Sequence, residues 1–145
     1  MKKFSFDLQK VLDYRKFEQE QAETELAKAL AVENEINQNL KTIAAQHVAS
    51  NKQIDGHVEF EDMMAHSQYS NLLEYQKEEL LKQLAQAQIV IEEKRKVLTE
   101  CMKKTLALEK LKEKELNDYK KALSREENNF IDELGAQGYF RKTFN

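Results

Sequence analysis

The residues able to do chemistry by themselves are few: His47, His57, His66 and a single cysteine, Cys101. A zinc site gathers three or four such ligands around one point from closely spaced pairs, and these four residues offer no such pair. One cysteine cannot form an internal disulfide, so the expected setting is reducing and cytoplasmic. There is no Gly-rich phosphate loop, nucleophile elbow or paired-His metalloprotease helix. The many glutamates read as a solvated helix face. No catalytic, cofactor-binding or metal-binding residue is expected, and the chemistry left to this chain is recognition.

Recognition by this chain must be carried by helices. A composition of 41% hydrophobic and 34% charged residues, with no Trp, suits long amphipathic helices better than a compact globule. Ala, Leu, Glu, Lys and Gln dominate, and these lose little side-chain freedom in a helix. With no proline, and with Gly56 as the only glycine before Gly135, residues 1 to 134 hold one position suited to reversing direction. The expected fold is all-α: two long helices in an antiparallel coiled-coil hairpin, the second longer and overhanging. The bounds are helix 1 over about 6–54, a turn over about 55–60, helix 2 over about 60–134 and a tail over 135–145, all one coiled-coil domain.

Ser5 is the expected N-cap of helix 1. Its seam repeats in sevens, with Leu12, Gln19, Leu26, Glu33, Leu40, His47 and Ile54 at a and Leu8, Arg15, Ala22, Ala29, Ile36, Ile43 and Ser50 at d. Helix 2 has Leu84, Ile91, Leu98 and Thr105 at a, with Leu73, Leu80, Ala87, Lys94, Cys101 and Leu108 at d. His47 and Cys101 thus fall on the seam, where packing explains them. From Lys112 to Leu116 a four-residue step interrupts the sevens, a stutter that locally unwinds a supercoil. Facing residues of an antiparallel pair have numbers that add to a constant. Folding at Gly56 favours 113, which pairs Leu12 with Cys101 and Leu40 with Leu73; a sum of 120 pairs Leu12 with Leu108 and Leu40 with Leu80 equally well.

At 1.5 Å per residue the helices should measure roughly 75 Å and 115 Å, so helix 2 must overhang from about Leu106 to Leu111 onward. That leaves Leu116, Tyr119, Leu123 and Phe130 as an expected protein-binding stripe. Gly135 is the expected helix terminator. Charge divides along the chain. Residues 94 to 125 carry eleven Lys or Arg against five acids, while residues 55 to 79 carry seven acids against Lys77 alone. Glu109, Glu113, Glu115 and Asp118 interrupt the basic stretch at ion-pairing distances, which argues against nucleic acid. No apolar run approaches the roughly 18 residues of a membrane span, and nothing resembles a secretory signal, so direct membrane insertion is not expected.

Particular residues say more. The run from Phe4 through Ser5, Phe6, Asp7, Leu8, Gln9, Lys10, Val11, Leu12, Asp13 and Tyr14 to Arg15, then Glu18, Glu20, Ala22 and Leu26, resembles the opening of the flagellar export protein FliJ family. So does the block from Leu106 to Lys114, followed by Tyr119. The resemblance implies a cytoplasmic component of the flagellar type III export apparatus, held at the inner membrane through its partners and shaped like the central stalk of a rotary ATPase. It would bind the hexameric export ATPase through Phe4, Phe6, Leu8, Leu12 and Arg15 of helix 1 and Lys103, Lys104, Lys110, Lys112, Lys114 and Tyr119 of helix 2. It would also bind a membrane export gate protein, through Tyr69 and Leu72 with Gln38 opposite, and escort export chaperones. Thr42, Ala45, Ala49, Gln76, Glu79 and Gln83 stand where the family is more aromatic or apolar. The stalk of a virulence type III secretion system and a self-associating structural coiled coil stay open as alternatives.

Overall fold

The computed structural model describes residues 2–56 and 59–144, with side chains through residue 138. His57, Val58 and the aromatic side chains of the tail lie outside the described residues. Two helices make up the fold, α1 Gln9–Gln53 and α2 Phe60–Phe144. They contribute to two compact units, Glu20–Glu100 and Met1–Gln19 with Cys101–Asn145.

In the unit that contains the turn, the heptads survive residue by residue. Ala22, Ala29, Ile36, Ile43 and Ser50 of α1 are buried, as are Leu73, Ala87 and Ile91 of α2. The intervening seam positions, among them Leu26, Leu40, His47, Leu80, Leu84 and Leu98, are half-buried. A stripe this narrow excludes water with one row of side chains from each helix, which is why alternating small and large residues suffice. Near the turn the seam becomes polar. Ser50 Oγ lies 2.9 Å from His66 Nδ1, and His66 Nε2 lies 3.4 Å from Ser70 Oγ, so these partly buried groups partner one another. Gly56 has φ +132 with nothing within 4 Å of the place a Cβ would occupy, so backbone conformation and not space calls for glycine there.

The other unit shows the register. Thr105 Oγ1 sits 3.3 Å from the Arg15 carbonyl and 3.0 Å from the Cys101 carbonyl, donating between them. Lys112 Nζ donates to Gln9 Oε1 at 2.7 Å, and Lys16 pairs with Glu109 at 4.0 Å. Residues 15 and 105 add to 120, and 9 and 112 to 121. The pairing is therefore the one near 120, a heptad away from the 113 that folding about Gly56 favours. Flank charges distinguish the two: at 120 Lys16 meets Glu109 and Glu18 comes within the field of Lys104, whereas at 113 Lys16 would meet Met102.

Three further expectations change. Helix 1 starts at Gln9 and not near Ser5, with Gln9 N–H donating to the Phe6 carbonyl at 3.0 Å and Leu12 N–H to the Leu8 carbonyl at 2.9 Å. Phe6, 7% exposed, is drawn into the core; burying a phenyl ring is worth about 1.5–3 kcal/mol, against about 1 kcal/mol for a serine cap. The uncovered part of α2 also begins later. Leu116, Tyr119 and Leu123 are half-buried, because the shifted register and the N-terminal segment both carry cover past Leu111. Only beyond Leu123 are the described side chains uniformly exposed, Phe130 at 61% among them. Finally, α2 runs through Gly135 and Gly138 to Phe144. A glycine costs a helix only about 1 kcal/mol relative to alanine, and no proline follows to stop it.

The seam predicts a sharp contrast between neighbours. Leu73 is 2% exposed and Leu72 50%; Leu73→Ala should lose about 2–5 kcal/mol in urea unfolding followed by circular dichroism. Leu72→Ala should stay within about 0.5 kcal/mol of the parent.

Candidate functional site

The N-terminal unit concentrates the features that recognition requires. Residues 2–8 precede α1 and lie against α2, with Tyr119 Oη donating to the Lys2 carbonyl at 2.6 Å and the Phe4 ring 5.7 Å from the Tyr119 ring in a tilted contact. Such aromatic pairs contribute about 0.5–1.5 kcal/mol beyond area burial. Lys112 enters the half-buried seam where the stutter falls, since Leu108, Lys112 and Leu116 succeed one another at four-residue steps on one inward face. Its bond to Gln9 gives that ammonium a neutral partner inside the interface.

This arrangement sorts the expected ATPase-contacting residues into two groups. Phe6 and Leu12 are core, at 7% and 1% exposure, and Phe4, Tyr119 and Lys112 are half-buried in contacts between α2 and the N-terminal segment or α1. They hold this end together and offer a partner little area. Leu8, Lys103, Lys104, Lys110 and Lys114 are exposed, and Arg15 is half-buried.

Two exposed aromatics on α1, absent from the expected set, join the outer group: Tyr14 at 57% and Phe17 at 55%. They lie one turn apart, with Val11 at 41% one turn before. Heptad position was the available signal, because Tyr14 and Phe17 fall at c and f, where a packed hairpin has no use for a ring. Arg15 ties the group together. Its Nη1 bonds Glu18 Oε2 at 3.0 Å and its guanidinium carbon sits 5.9 Å from the Tyr14 ring centroid. The hydrogen bond from Arg15, then one from Tyr14, holds the Glu18 carboxyl below its ordinary pKa, with Arg15 and Lys104 charge adding to the effect. The Tyr14 hydroxyl is raised, first by its hydrogen bond to Glu18. An ordered Tyr–Arg–Glu surface beside exposed lysines has the composition of a protein-binding patch.

Gln38, Tyr69 and Leu72, the expected gate-contacting residues, are all exposed. The structure does not set Gln38 level with the other two. Asn39, Thr42 and Gln46 border one hollow with Tyr75, Gln76 and Glu79, which places Gln38 nearly three turns beyond Leu72 along α2. The shifted register is the cause. Among the described residues, no group of three His, Cys, Asp or Glu is placed to hold a metal, and no helix is long and apolar enough to cross a membrane.

The Glu18 cluster has a measurable consequence. A lowered carboxyl pKa contributes stability above the ordinary glutamate range and loses it as pH falls through the lowered value. Arg15→Gln should raise the Glu18 pKa toward that range in a carboxyl-carbon NMR titration, and Tyr14→Phe should raise it less, following the order of the two hydrogen bonds.

No curated protein and no solved structure gives a significant match to the chain. A family model does: that of the Flagellar FliJ protein matches residues 4–144, nearly the whole sequence and both helices. The chain belongs to the flagellar FliJ protein family.

Proposed function

We propose that this protein is a non-enzymatic central stalk and escort component of the flagellar type III export apparatus, which binds the hexameric export ATPase and the membrane export gate and couples ATP hydrolysis to export. Family membership makes it a flagellar export-related protein, and the family is a non-catalytic export component. The same match favours the flagellar reading over a virulence-system stalk or an unrelated structural coiled coil.

The observation that carries the ATPase contact is the division of the N-terminal unit into a locked interior and a patterned exterior. A shaft that transmits force must not loosen when its partner grips it. Phe6, Leu12, Thr105 and the Lys112–Gln9 bond meet that need from inside. Leu8, Tyr14, Arg15 and Phe17 with Lys103, Lys104, Lys110 and Lys114 supply the contact surface, and Phe4 and Tyr119 brace it. Basic side chains around aromatic anchors suit an acidic, partly apolar pore and speed encounter through charge. Gate binding would use Tyr69 and Leu72, with Gln38 reaching the same partner nearly three turns away. Export chaperones would be carried in transit, with the protein working in the cytoplasm and at the inner membrane only through its partners.

Lys110 and Lys114 test this reading without touching the seam. Lys110→Glu with Lys114→Glu should weaken binding to a flagellar export ATPase hexamer by roughly tenfold at low salt, about 1.4 kcal/mol. The variant should also flatten the fall in affinity with ionic strength. Unchanged affinity and salt dependence, measured by surface plasmon resonance, would remove these lysines from the interface. Lys112→Glu should instead lower the melting temperature, because it breaks the bond to Gln9.

A further inference from the structure

Where the seam of α2 continues past α1, a piece of chain that is not helical covers it. Lys112 bonds to Gln9, the first residue of α1, so α1 ends short of Leu116, Tyr119 and Leu123. These three residues follow one another at steps of three and four, the spacing by which one helix packs along another, and all three are half-buried. The cover at Tyr119 comes from residues 2–5. Its hydroxyl donates to the Lys2 carbonyl at 2.6 Å, and its ring meets that of Phe4 at 5.7 Å. Among the described residues no backbone–backbone hydrogen bond holds residues 2–5, and Lys2, Lys3 and Ser5 are exposed. Phe6 is fixed differently: it is 7% exposed, and its carbonyl accepts the Gln9 N–H at 3.0 Å.

We propose that residues 2–5 are a releasable strap, hinged at Phe6, which holds a place that an amphipathic helix of a partner protein takes by displacing it. The balance of forces permits release. One neutral hydrogen bond and one aromatic pair stand against the conformational entropy of four ordered residues, and the opposing terms are of similar size. The seam stays shut meanwhile, because Phe6, Leu12 and the Lys112–Gln9 bond lie on the far side of the hinge. What the row continues decides the occupant. Thr105 and Lys112 meet α1, and the same face runs on through Leu116, so a second helix laid in line with α1 meets the same ridges. Such a helix would reach Leu116, Tyr119 and Leu123 together, burying more apolar surface than the Phe4 ring on Tyr119. At 100° per residue Lys110 and Lys114 fall on the other side of α2, so charge reversal there leaves this exchange untouched.

The test uses the full chain in a Cys101→Ser background and a fluorescein-labelled amphipathic peptide, with leucine at a and d and glutamine elsewhere, read by fluorescence anisotropy. Deleting residues 2–5 should tighten binding about threefold or more, because the competitor is gone. Phe4→Cys with Tyr119→Cys, joined by a short bifunctional thiol reagent, should bind about tenfold or more weakly than the same variant left unjoined. Leu116→Ser with Leu123→Ser should remove the gain that deletion brings, and circular dichroism confirms that each variant stays helical. Unchanged or weaker binding after deletion, or equal binding by the joined and unjoined forms, would overturn the proposal. So would self-association of the deletion variant in sedimentation in place of peptide binding, because the row would then take a second copy of the chain.

Discussion

The register of α1 on α2 is the constraint from which the rest of the molecule follows. It is held at one end by Thr105 on the Arg15 carbonyl, Lys112 on Gln9 and Lys16 beside Glu109. None of these polar contacts is worth more than about 1–3 kcal/mol, less than the apolar seam supplies. Their value is discrimination. An apolar heptad pairs almost as well after sliding by seven residues, so the positions that break that symmetry decide which face of each helix meets water.

Function depends on that decision. In the observed register the N-terminal segment reaches Tyr119, Phe4 and Phe6 become internal, and Tyr14, Phe17 and the lysines flank the outside. Sliding by a heptad would strip Leu116 and Tyr119 and move Arg15 away from Thr105. A stalk transmitting force needs its binding residues on the surface and its register locked beneath them. The N-terminal unit has both, with the seam bonds directly under the aromatic and basic exterior.

Periodicity made the architecture legible. Every seam residue from Leu12 to Ile54, and from Leu80 to Leu108, is buried or half-buried as its heptad position requires, and the stutter at Lys112 is real. The register was not legible from apolar residues, because translation by seven maps the pattern onto itself; Lys16, Glu18, Lys104 and Glu109 held that information. The N-terminal segment escaped because residues 2–8 follow no period. Helix continuation past Gly135 escaped because a strong terminator residue acts only when its neighbours also leave the helix, and these neighbours favour it.

The central claim is the facing pair 15 and 105. In a Cys101→Ser background, Arg15→Cys with Thr105→Cys should cross-link within one chain under oxidation or a short bifunctional thiol reagent. Arg15→Cys with Leu98→Cys, the pair expected for a facing sum of 113, should not. Efficient cross-linking of 15 to 98, with none of 15 to 105, would contradict the register and with it the placement of every surface residue assigned to a partner.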